Sequence, residues 1–311
     1  MTLGQDEMDV DSITLGALMS EWNLRALPTL AGLAADQVPI ASGQMWRARW
    51  DGAVAMVFID SFVGGFQNLV RVAPVTIGAD LADDGAIVLP SELTSLSVEL
   101  SVWPELVTNL AEVVLERWIA DVDRFTSVEQ IERAASEGEL PRGLPVLNAD
   151  GRRANEKRIL ALVIEVFANA TRVISGTGRL PDMIAAAGLT VTALARTIHE
   201  ANSVALAIAK GSLRITLPQA RLLAPSLDSE PIELLRANPE VDGGLVTAIT
   251  RLSAGGPLRQ LAALDRTSET DAFEALTRGA MALAARSEGA ESAWDARVNL
   301  YFHLRLGDGK Q

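Results

Sequence analysis

The chain has 311 residues, 49% of them apolar, so it exceeds one ordinary domain and can bury a substantial core. It has no cysteine, which excludes disulfides and thiolate metal sites and gives no reason to expect an oxidising compartment. A formal net charge of −13, most of it carried before residue 178, argues against a generic nucleic-acid or anionic-membrane binder, because such a surface repels phosphate at long range.

The first ten residues are acidic, and no uncharged run reaches the roughly 18 residues a membrane helix needs, so a cytoplasmic setting with no membrane partner is expected. Residues 11–33 carry Leu15, Leu18, Met19, Trp22 and Leu24 at mostly helical spacing, ending before Pro28. The texture changes after Val38. Residues 43–50 alternate side chains across two faces, residues 53–59 are a compact apolar run, residues 69–77 follow the Gly64-Gly65 turn, and residues 86–89 and 98–103 complete the set. Short strands joined by Gly- and Asp-rich turns predict a small antiparallel barrel. Leu106, Leu110, Val113, Val114, Leu115 and Trp118 then predict a helix over residues 104–119.

This block resembles the SH3-like barrel of the MazF/PemK toxin family in its strand order, in Gly43-Gln44-Met45-Trp46 and in Ala73-Pro74-Val75-Thr76. The resemblance implies metal-free RNA cleavage by an arginine of the first loop and a nearby Ser or Thr. Asp51-Gly52 stands where the family has Arg-Pro, leaving Arg47, Arg49 and Thr76 as the candidates for that chemistry. The other reading of the block is a recognition or assembly module, with Arg47 and Arg49 on the solvated side of a strand that buries Trp46 and Trp50.

A connection follows, with a short helix expected over residues 127–135, and Pro141, Gly143 and Pro145 break anything longer. The apolar run of residues 159–168, interrupted by Glu165, predicts a long helix buried in a bundle or an interface. Arg152, Arg153, Lys157 and Arg158 at its start either steer phosphate or form a solvated helix start.

Residues 180–236 read as five short helices, near 180–187, 191–198, 203–210, 217–223 and 231–236. Gly188 and Gly211 act as helix stops, Thr190 as a cap and Pro231 as a first-turn proline. Gly188-Leu189-Thr190, Leu194-Ala195, Ile198, Ile208, Gly211, Leu217, Leu222, Leu227 and Leu234-Leu235 resemble the core and turn positions of the Cro/C1 (xenobiotic-response-element type) helix-turn-helix family. The resemblance implies binding of double-stranded DNA with the third helix in the major groove. Thr190, Asn202, Ser203, Lys210 and Arg214 are the expected DNA-contacting residues, Asn202 and Ser203 being able to read base edges.

The C-terminal region is expected to be helical with a break at Gly255-Gly256-Pro257, and to present two stripes suited to core or dimer contacts: Phe273, Leu276, Ala280, Leu283, then Trp294, Val298, Tyr301, Phe302, Leu306. The only histidines, His199 and His303, and the pairs Asp83/Asp84 and Asp121/Asp123 form no catalytic or metal-ligand pattern. No catalytic residue, cofactor or metal is assigned. The sequence thus predicts an α+β, mostly α chain: an N-terminal helical segment (1–36), an SH3-like barrel (37–124), a connector and interface helix (125–178), a five-helix helix-turn-helix domain (179–237) and a helical oligomerisation region (238–311). The expected function is a homodimeric, non-enzymatic DNA-binding regulator, with a possible protein partner or ligand at the barrel. The alternatives are an antitoxin-like or adaptor component with a degenerate helix-turn-helix, and a MazF/PemK-like endoribonuclease.

Overall fold

Alternation along residues 44–50 buries Trp46, Ala48 and Trp50 while Arg47 and Arg49 stay half-buried, and this strand starts a seven-stranded sheet. The computed structural model describes residues 38–66, 68–144, 151–253, 256–284 and 294–307; the helix expected over residues 11–33 lies outside them. The strands are β1 (Gln44–Trp50), β2 (Ala53–Phe62), β3 (Leu69–Ile77), β4 (Ile87–Leu89), β5 (Leu100–Val102), β6 (Thr108–Ala111) and β7 (Leu115–Asp121). Their order is β4-β5-β3-β2-β1-β7, with β6 paired to β3 beside that path. Asp51 and Gly52, at φ 46° and 81°, form the two-residue turn between β1 and β2, whose Trp50 and Ala53 pair; left-handed Asp-Gly suits the twist of such a hairpin.

The sheet is open, which corrects the expected closed SH3-like barrel: β4 and β7 stand at opposite ends and do not pair. Between the segments beyond them there is one isolated bridge, Thr94 to Val122. The physical reason lies in β2, where residues 53–60 are all buried, so both faces of the sheet are covered. Helix α1 (Val128–Ser136), capped by Ser127 and anchored where Asp60 accepts the Val128 amide at 2.7 Å, packs Val128, Ile131 and Ala134 into the core of one face with Phe58, Val75 and Leu100. The opposite face, with Trp46, Trp50, Val57 and Leu69, packs on Ile159, Val163, Ile164 and Phe167 of the long helix α2 (Gly151–Asn169). A sheet between two helical layers has no apolar face left to roll inward.

The helix expected over residues 104–119 is also absent. That stretch is β6 and β7 with single turns at Pro104–Leu106 and Glu112–Val114. Leu110, Val114 and Leu115 still enter the core, but they do so by strand alternation broken by a turn, a pattern that mimics helical spacing over a short window.

Five short helices follow: α3 (Leu180–Ala186), α4 (Val191–Thr197), α5 (Asn202–Ala209), α6 (Leu217–Leu227) and α7 (Pro231–Arg236). Thr190 caps α4, and Thr216 with Gln219 makes a reciprocal capping box on α6. Leu180, Leu194, Ile198, Ile208, Leu217, Leu234 and Leu235 fill a core of their own.

The chain ends in α8 (Gly243–Ser253), α9 (Pro257–Asp265), α10 (Glu269–Ala284) and α11 (Trp294–Gly307), with the expected break at Gly256, φ 90°, before Pro257. Phe273, Leu276, Ala280, Val298 and Phe302 share one core with β1, β2 and α2. These residues of the stripes offered by the sequence as core or dimer surfaces, with Trp294 and Tyr301 packed against them, are therefore occupied inside the chain. Gly279 admits the close approach of α11: a Cβ there would meet the Tyr301 ring at 2.0 Å. No helix among the described residues is long and apolar enough to cross a membrane.

Candidate functional site

The C-terminal helices meet the sheet at the β1–β2 turn. The Trp50 indole donates to Thr270 Oγ1 at 2.9 Å, and Asp51 accepts from the Glu269 amide and from the Thr270 hydroxyl, the latter at 3.4 Å. Asp51 thus satisfies an amide of the first turn of α10 that has no partner inside its own helix. The turn residue as a whole is exposed, yet its carboxylate sits against the start of α10, and this desolvation raises the Asp51 pKa.

Beside this latch lies a cluster of arginines. Pairing of β1 with β7 slips between Arg47 and Ala48, leaving Glu116 as the extra residue of a bulge that redirects its side chain. Arg47 Nε lies 3.1 Å from Glu116 Oε2, and Arg259 of α9 donates from Nη2 to Glu116 Oε1 at 3.1 Å. Arg259 Nε also lies 4.0 Å from Glu269 Oε1. Two strands and two helices therefore contribute charge to one seam.

The charges do not cancel. Arg49, two residues along the same face of β1, makes no hydrogen bond or ion pair with any described residue, and its Nε is buried. Burial, then repulsion from Arg259 and Arg47 against the pull of Glu116 and Glu269, holds its pKa below the ordinary arginine value; the guanidinium still stays charged at neutral pH. The Glu269 pKa is raised, first by burial and then by Asp51, with Arg259 and Arg49 pulling the other way. Arg47 Nε, Arg49 Nε, Arg259 Nε and Glu116 Oε2 are all buried without a hydrogen bond, the Arg47–Glu116 contact being close in distance but poorly aligned. Only Arg172 Nε and Trp294 Nε1 share that condition among the described residues, so unsatisfied polarity concentrates at this seam. Fixed, underpaired guanidinium groups suit the capture of an oxyanion.

Of the residues expected to contact DNA, Arg214 is enclosed and the other four are exposed. Thr190 is exposed and spends its hydroxyl on the Ala193 amide at 3.2 Å. Asn202, Ser203 and Lys210 are exposed on or just beyond α5, beside Leu206, which is 41% exposed. Arg214 is 3% exposed: it donates from Nη2 to Glu274 at 2.9 Å and from Nη1 to the Val173 carbonyl at 3.3 Å, fastening the five-helix segment to α10. The ribonuclease candidates separate as well. Arg47, Met56 and Val75 lie in register across β1, β2 and β3, so Thr76 turns to the opposite face, where it accepts from the Trp103 indole at 3.1 Å. Among the described residues no group of three or more His, Asp or Glu is placed to hold a metal.

Arg47 and Arg49 stand out in the sequence for other roles, and nothing local in the sequence marks Glu116, Arg259 or Glu269. The Asp-Gly turn was the one available signal for the latch, and it says nothing of α10, more than 200 residues away.

No protein-family model, no curated protein and no solved structure matches the chain. The Cro/C1 and MazF/PemK resemblances are accordingly corrected, and with them the DNA-binding regulator, the antitoxin-like or adaptor component and the endoribonuclease. Five short helices with glycine stops and leucine cores are a generic solution for packing helices, so agreement at core and turn positions does not identify a family.

Proposed function

We propose that this is a binding protein, not a catalyst, which takes a small oxyanion, of the phosphate or phosphate-ester class, at Arg47, Arg49 and Arg259. The observation that carries the reading is Arg49, a charged, half-buried guanidinium beside Arg47 on β1, whose buried Nε has no hydrogen-bond partner among the described residues. Guanidinium groups hold and orient an anion without exchanging protons near neutral pH, which favours binding over acid–base chemistry. The chain's net charge of −13 opposes a long polyanion but not a small ligand recognised at short range. A cytoplasmic setting, where phosphorylated small molecules are abundant, goes with this reading.

Titration calorimetry with inorganic phosphate at constant ionic strength tests it. Saturable binding by the wild-type chain, lost in Arg49→Ala and strengthened in Glu269→Gln, is the expected result. Equal heats in the wild type and Arg49→Ala, or a response reproduced by chloride, would reject it.

A further inference from the structure

We infer that an oxyanion at this seam clamps the C-terminal helices to the sheet, so that the site regulates how firmly α9 and α10 are docked; the inference rests on the proposed anion binding. The donors come from two bodies: Arg47 and Arg49 from β1, Arg259 from α9. Without an anion they repel across the seam, and Arg259 is one of the charges opposing Arg49. Glu116 answers two of the three, and among the described residues Arg49 has no ion-pair partner.

The direct polar contacts that supplement the shared apolar core at this point are few. They are the Trp50–Thr270 bond, the Asp51 bonds to Glu269 and Thr270, and the Arg259–Glu116 bond. An anion bridging Arg49 and Arg259 turns the cross-seam repulsion into two charge-assisted bonds at once. Helix α1, held by Asp60 and packed with Phe58, Val75 and Leu100, shares no hydrogen bond or ion pair with these groups and serves as an internal reference.

Hydrogen exchange on the full chain, with inorganic phosphate at about ten times its dissociation constant and fixed ionic strength, decides the point. Exchange in α9 and the first turns of α10 should slow about tenfold, the factor set by ligand occupancy, while α1 changes little. Arg49→Ala should abolish the slowing. Glu269→Gln, which removes a competing carboxylate and keeps the shape, should enhance it. Calorimetric binding without slower exchange in α9 and α10, or with equal slowing in α1, would overturn the clamp and leave anion binding standing. Absence of calorimetric binding would instead remove the reading on which the clamp depends.

Discussion

The C-terminal helices are joined to the rest of the molecule at two arginine sites that differ in how they treat charge. At the junction with the five-helix segment, Arg214 is almost wholly buried and bonded to Glu274 and to the Val173 carbonyl. At the junction with the sheet, Arg47, Arg49 and Arg259 share Glu116 and Glu269, and Arg49 makes no hydrogen bond or ion pair with any described residue. A buried arginine with its bonds made is a fastener. One held near like charges with its bonds unmade is a receptor for something else.

The comparison breaks first if Arg214 proves dispensable. Arg214→Ala leaves Glu274 buried without its partner and should cost about 3–5 kcal/mol in urea unfolding; a loss under about 1 kcal/mol would show that the two junctions do not differ as described. Asp51→Ala removes an acceptor from the start of α10 and places alanine in a left-handed turn, for an expected loss of about 1–2 kcal/mol. Asp51→Asn, which keeps the acceptor and tolerates the turn, should retain most of that stability.

Glu269 sharpens the contrast through pH. Its folded pKa is raised, so it binds its proton more tightly in the folded chain than in the unfolded one. The wild type should therefore gain stability from this group as pH falls through the raised value, fully so below the ordinary carboxylate range, and lack it at neutral pH. Glu269→Gln should accordingly stabilise the protein at pH ~7, with an advantage that shrinks towards pH ~4. An advantage that grew on acidification would reverse the assignment. The smallest effect belongs to Arg49→Ala, expected within about 0.5 kcal/mol of wild type in chloride buffer, since it removes a repelled charge along with its attraction to Glu116 and Glu269. A loss of several kcal/mol would make Arg49 a second fastener.

Much of the local structure was legible in the residues. The helix stops at Gly188 and Gly211, the cap Thr190, the Gly256-Pro257 break and the five short helices lie where turn and capping chemistry put them. These features depend on neighbours within four or five positions. Residues 104–119 misled because leucine and valine at mixed spacing satisfy a helix pattern over few turns, while the observed strands depend on β1 and β3, the partners of β7 and β6.

The sequence by itself determined that the chain has no cysteine chemistry, carries ample apolar surface in helical stripes, and punctuates its helices with glycine and proline. Tertiary structure alone decided that the sheet stays open and that the stripes are spent on a shared core. It alone also decided that Arg214 is enclosed, and that Arg259 bonds to Glu116, 143 residues away, beside Arg47. The reason is physical: caps and turns are settled by short-range sterics and hydrogen bonds, whereas closure, burial and pairing depend on which distant surface covers a face.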